Sequence, residues 1–166
     1  MAETKKKGLG LPQTKGSFQV RGKVTGTSRE NFYTEKLTKT DKPWRQVTFG
    51  AQFDKDSTIY LSLNGMERDN VWFSKKEDKQ TVTEEVAWKD RFTFAKEGYS
   101  LIGVNVGVKK VKDEKGNDVN DKKRLTEYDA CKEISDNLVD DKTVFVRGSI
   151  EYGSYKDKHT TKFIPN

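Results

Sequence analysis

The sequence predicts a mainly β protein built around a small barrel, and three observations carry that prediction. Several stretches alternate apolar and polar side chains with a period of two, the pattern of half-buried strands. One stretch carries instead the three- and four-residue apolar spacing of an amphipathic helix. Two strands share a mid-strand Arg-Gly pair, in Val20-Arg21-Gly22-Lys23-Val24 and Val146-Arg147-Gly148-Ser149-Ile150. Glycine in mid-strand permits the coiling that bends a strand around a small barrel.

The first strand is expected over Ser17–Thr25, with Phe18, Val20 and Val24 on one side and Gln19, Arg21 and Lys23 on the other. Residues 26–43 are polar and basic and read as a long loop or extended hairpin. A second strand follows at Arg45–Phe53, with Val47, Phe49, Ala51 and Phe53 inward. A third, Ser57–Leu63, buries Ile59, Leu61 and Leu63, turns Tyr60 outward and stops at Asn64-Gly65. The stretch 66–124 is irregular and β-rich. Within it Val71-Trp72-Phe73 and Thr81–Trp88 read as strands, Arg91–Phe94 as a continuation, and Leu101–Val111 as one unbroken strand with Ile102, Val104, Val106 and Val108 on one face. The helix is expected at Thr126–Val139, where Leu125, Tyr128, Cys131, Ile134 and Leu138 form one stripe and Thr126 serves as N-cap. Thr143–Tyr152 and Tyr155–Ile164 close the chain as two strands joined at Gly153-Ser154, with Tyr152 sharing the parity of Ile150.

Three strands, a helix and two more strands is the element order of an OB-fold, a five-stranded Greek-key barrel with the helix between strands three and four, here enlarged by a β-rich insertion at 66–124. The domain is expected to span 17–166, behind a flexible basic tail at 1–16 that carries Lys5, Lys6 and Lys7. The text Phe18-Gln19-Val20-Arg21-Gly22-Lys23-Val24 resembles the opening strand of OB-fold single-stranded DNA-binding proteins. Thr143–Asn166 is similar to the last two strands of replication proteins from phages of Gram-positive bacteria. The run Tyr99-Ser100-Leu101-Ile102-Gly103-Val104-Asn105-Val106-Gly107 and the later Leu125-Thr126-Glu127-Tyr128-Asp129-Ala130 add to the likeness. The resemblance implies a protein that coats single-stranded DNA during phage replication or recombination, in the host cytoplasm. The bacterial members end in a glycine-rich tail with an acidic tip, whereas the sequence here stops at Pro165-Asn166, inside or just after a strand, which leaves a truncated chain open.

Composition agrees with a binding module. Thirty-two Lys and Arg against 26 Asp and Glu give a net charge of +6, which favours a polyanionic partner. The single cysteine excludes an internal disulfide. No apolar run approaches the roughly 20 residues that span a bilayer, so no membrane partner is expected. Enzyme chemistry finds little material. His159 is the one histidine, Cys131 lies on the apolar stripe of the helix, and no phosphate-cradling or metal-ligand spacing occurs, so no cofactor and no metal are expected.

Binding single strands without sequence preference needs cations along the phosphates and rings to stack the bases. Arg29, Phe32, Tyr33, Lys36, Trp44 and Arg45 interleave the two after the first strand. Phe32 and Tyr33 lie in polar surroundings and are expected to be exposed; Trp44 is either a barrel-end plug or a base platform. Arg21, Lys23, Tyr60 and Arg147 occupy outward parities of strands, and Tyr155 and Lys156 sit at the last turn. One of Trp72 and Phe73 must face out, which leaves Trp72 as a candidate. The expected partner is therefore single-stranded DNA, beside replication or recombination proteins. An RNA-binding OB-fold and a phage structural or protein-interaction barrel are the other readings. Edge-strand pairing leaves a homodimer open.

Overall fold

A computed structural model describes residues 15–155 and 158–166, the side chains of residues 154 and 155 excepted. Of the expected basic tail, residues 1–14 therefore lie outside the described residues, and Gly16 already belongs to the first strand.

The barrel strands are β1 (Gly16–Thr25), β3 (Pro43–Asp54), β4 (Ser57–Met66), β12 (Thr143–Tyr155) and β13 (Lys158–Pro165), with a short β2 (Tyr33–Leu37) added on the outer edge of β3. The order around the sheet is β1-β12-β13-β4-β3, and β1 pairs again with β3 to close it. All barrel pairings are antiparallel except β13 against β4. A closed five-stranded barrel with this one parallel pairing, and a helix α1 (Glu127–Asn137) between its third and fourth strands, is an OB-like fold.

The period-two reading holds in β1, β3 and β4 because one face of each is buried, whereas β13 is exposed on both faces from Lys158 to Lys162. Val47 and Ala51 of β3 and Leu61 and Leu63 of β4 are almost fully buried, and Val20 and Val24 of β1 join them. The helix closes the barrel with Ala130, Cys131 and Ile134. Its cap is as expected: the Thr126 hydroxyl accepts from the Asp129 amide at 3.2 Å. The paired mid-strand glycines mark places where one strand crosses another. A Cβ on Gly22 would lie 2.5 Å from the Gln52 carbonyl oxygen, and one on Gly148 would collide with the Ile164 carbonyl.

Several expectations give way to specific geometry. Phe53 is exposed rather than inward, because a register shift between Gln52 and Asp54 breaks the alternation at the end of β3. Asn64-Gly65 does not stop β4, which runs on to Met66. Gly65 serves close packing: a side chain there would strike the Glu127–Tyr128 backbone at the start of α1. Gly153-Ser154 likewise continues β12 rather than turning it, and Tyr152 is among the most exposed side chains.

The insertion forms its own small layer. β5 (Asn70–Glu77) and β6 (Gln80–Ala87) make a hairpin around Asp78-Lys79, a 3-10 turn occupies Trp88–Asp90, and β7 (Ser100–Leu101) adds to the β5 edge. Arg91–Phe94 is therefore turn and not strand. The expected single strand Leu101–Val111 is three pieces, β7, β8 (Val104–Val106) and β9 (Lys110–Lys112). The break has a packing cause. Leu101 belongs to the insertion's cluster with Val71, Phe73 and Val86, whereas Val104 and Val106 belong to the barrel core. The chain crosses between the two at Ile102-Gly103, leaving Ile102 exposed and Gly103 pressed against the Leu125 carbonyl. β9 pairs with β10 (Asp118–Asn120), and β8 with β11 (Lys123–Leu125). No helix among the described residues is long and apolar enough to cross a membrane.

Gly148→Ala should therefore cost about 1–3 kcal/mol through overpacking, read as a lowered thermal midpoint. Gly107→Ala, whose new methyl would find its nearest neighbour at 3.4 Å, should unfold close to wild type. Equal midpoints for the two variants would contradict the strand crossing at Gly148.

Candidate nucleic-acid interface

The outer face of β3 and β4 is built by strict alternation. Trp44, Gln46, Thr48, Gly50 and Gln52 point outward from β3, opposite Met66, Asn64, Ser62, Tyr60 and Thr58 of β4. These ten positions include no carboxylate. Their centre is polar and internally linked: Gln46 Nε2 donates to Ser62 Oγ at 2.9 Å. The rings stand towards the two ends. Trp44 is six residues from Gly50, the cross-strand partner of Tyr60, which is roughly 20 Å at about 3.3 Å per residue.

Each ring has a cation beside it. Lys36 is directly cross-strand from Trp44, and its ammonium lies 4.7 Å from the ring centroid. The Arg29 guanidinium lies 5.8 Å from the Tyr60 ring centre. Tyr60 faces Gly50 across the ladder, where the small Thr25 and Thr58 side chains fill the place of a Cβ, and 55% of it is exposed. Arg29 reaches it from the turn after β1, where the Arg29 amide bonds the Gly26 carbonyl.

Phe32 explains why that turn is fixed. It is buried in the barrel core, and its carbonyl accepts from the Thr48 amide at 2.8 Å. The expectation that Phe32 is exposed is thus overturned: it anchors the loop that carries Arg29. Tyr33 is likewise half-buried against the core, because it shares the inward parity of its partner Val47. Its hydroxyl donates to Glu35 at 2.6 Å. Arg45 also points away from the outer face. It pairs with Glu35 at 3.3 Å and lies over the Tyr128 ring at 3.9 Å, on the helix side of the barrel.

The remaining candidates are dispersed. Arg21 and Lys23 are exposed on β1, and Arg147 on β12, so they flank the barrel beyond the β3–β4 face. Trp72 is exposed and Phe73 buried, but Trp72 stands on the insertion hairpin opposite Glu85. The Tyr155 side chain and Lys156 lie outside what the structure describes. One feature escaped the sequence reading: Phe145, at the same outward parity as Arg147, is 64% exposed. Tyr152, whose parity with Ile150 pointed to the core, projects instead from the β12–β13 arm, where that parity runs past the end of the barrel. The outward parity of Phe145 was the available signal.

The buried polar groups beside the face belong to its foundation. Burial first, then the bond to Glu35, pushes the Tyr33 phenol well above its usual 10. The Tyr33 and Arg45 hydrogen bonds hold the Glu35 carboxyl below the usual carboxylate range. Cys131 is buried against the Leu63 carbonyl, and desolvation pushes its thiol up to about 12.

A family model described as YorF matches residues 74–163, just over half of the chain. No curated protein and no solved structure matches it.

Because folded Tyr33 holds its proton to higher pH than the unfolded chain does, its contribution is complete below pH 10 and is lost as pH rises through the folded value. Tyr33→Phe should therefore show a shallower loss of thermal midpoint between pH 9 and 11 than wild type, measured by circular dichroism (about 1 unit either side of the free phenol). Parallel profiles would contradict the buried phenol–Glu35 bond.

Proposed function

The chain belongs to the YorF family, and from the face it presents we propose that it binds single-stranded DNA largely without sequence preference. The observation that carries this reading is the β3–β4 face: two rings, each with an adjacent cation, at the ends of a polar row that holds no carboxylate. In OB-folds that face and its flanking loops are a common oligonucleotide site. Bases stack on Trp44 and Tyr60, and Arg29 and Lys36 meet the phosphates next to them. The polar row offers donors and acceptors to sugar and base edges without selecting one base. Tyr152 on the projecting arm is a third ring available to the strand.

The protein acts as a binding module and not as an enzyme in this reading. Cys131 is buried and protonated, and His159 sits on the exposed β12–β13 arm with no charged partner among the described residues. The setting is phage DNA replication or recombination. Its support is the phage-type family name and the likeness of the strand sequences to phage replication proteins.

Trp44→Ala and Tyr60→Ala should each weaken binding of an oligo-dT by about 1–3 kcal/mol, roughly 5- to 150-fold, with the thermal midpoint little changed. Fluorescence anisotropy at two salt concentrations, beside duplex DNA and RNA of equal length, reads the effect. Tight dT binding that weakens steeply with salt supports the reading. Equal affinity for duplex, or no loss in either variant, overturns the face assignment; tighter RNA binding overturns the choice of DNA.

A further inference from the structure

A second groove lies on the far side of the barrel, between β12 and the β8–β11 pair. It holds about 720 Å³. Its floor is apolar, formed by Val104, Val106, Ile134, Leu138 and Val144. Its rim is cationic: six Lys and Arg side chains line it and no Asp or Glu does. Two of the six are engaged. Lys123 pairs with Asp121 and Glu133, and Lys142 donates to the Val108 and Asn137 carbonyls. Lys110, Lys122, Arg124 and Arg147 have no acidic partner among the described residues, and all four are exposed. Phe145 stands at the same rim with most of its ring in solvent.

This groove is joined to the β3–β4 face. β1 lies between β3 and β12, and its outward side chains make the connection. Lys23 is cross-strand from Gln52 at the edge of the face and from Thr143 of β12. Arg21 is cross-strand from Phe145, and Gln19 from Arg147. A line of cations and rings thus runs from Tyr60 over β1 into the groove. An isolated anion would need only the rim. A continuous track with an apolar floor and an exposed ring suits a chain that carries a phosphate and a flat base at every step.

We propose that this groove is a second contact for single-stranded DNA, reached by a strand that leaves the β3–β4 face across Lys23 and Arg21. The proposal rests on the reading of that face as a single-strand site. Lys110, Lys122, Arg124 and Arg147 take the phosphodiester groups, Phe145 stacks a base, and one barrel is wrapped on two sides by a single strand.

The test compares two oligo-dT lengths on the full chain, about 8 and about 30 nucleotides, the shorter within the ~4–16-nucleotide reach of one OB-fold surface. The variant is Lys110→Ala/Lys122→Ala/Arg124→Ala. A control with equal loss of charge is Lys76→Ala/Lys79→Ala/Lys89→Ala, at exposed positions of the insertion. The expected result is unchanged affinity for the short oligonucleotide and about tenfold weaker binding of the long one. The log–log salt slope for the long one should fall by about 2, from three lost phosphate contacts at about 0.7 each. The control should match wild type. If both lengths bind wild type and the groove variant changes neither, or changes both equally, the second contact is overturned. If the control loses as much, the effect is net charge and the groove assignment fails. If wild type binds neither length, the reading of the β3–β4 face itself has failed.

Discussion

The Tyr128 ring is where the barrel, the helix and the insertion meet. Arg45 of β3 lies on it at 3.9 Å, and Trp88 of the insertion meets it edge-on at 5.8 Å. One residue along, Asp129 receives Arg91 through two hydrogen bonds at 2.8 and 3.0 Å, while the Thr126 hydroxyl donates to the same carboxylate. Arg91 also covers Trp88 at 4.2 Å. The first turn of α1 is thus held from both sides, by β3 and by the 3-10 turn. Because these are half-buried charge-assisted contacts, removing one partner strands the other in a partly dry site. The helix in turn supplies the floor of the barrel, so the placement of β3 and β4 depends on this junction.

From there the outer face follows. Gly65 lets β4 lie against the start of α1, which extends β4 to Met66 and gives Trp44 a full cross-strand ladder. Phe32 enters the same core from the loop side and fixes the turn that carries Arg29. The exposed groups of the face are therefore positioned by buried ones. Phe32, Tyr33 and Arg45 contribute to it through packing and hydrogen bonding rather than by contact.

Much of the barrel was legible in the sequence, since a strand with one buried face must alternate. The helix stripe and its Thr126 cap were legible for the same kind of local reason. What local pattern hides is the identity of the neighbour. Nothing around Asn64-Gly65 announces that a helix will rest there, and the alternation through Ile102 and Val104 continues in the text although the chain changes core between them. The candidate site divides in the same way. Tyr60 could be placed from parity alone. Arg45 shares the parity of Val47, so its inward direction was also written in the strand; the basic character of the loop outweighed it. Phe32 is buried despite polar neighbours because the loop needs an anchor, a demand that only the closed barrel creates.

The pairing order of the barrel has a consequence for how the chain comes to be folded. β1 finds its long partner in β12, where Gly22 meets Val144, and β4 finds its parallel partner in β13, where Leu61 meets Phe163. As a nascent chain leaves the ribosome, the β3–β4 hairpin and the insertion can form on their own local contacts. Only the last residues of β1, Lys23–Thr25, can pair early, with β3; the rest of β1 has no strand partner until β12 emerges. Topologies of this kind fold slowly and pass through a stage open to aggregation. The alternating Gln19, Arg21 and Lys23 on β1 then have a use before any ligand arrives: charge along an unpaired strand keeps a second nascent chain from pairing with it.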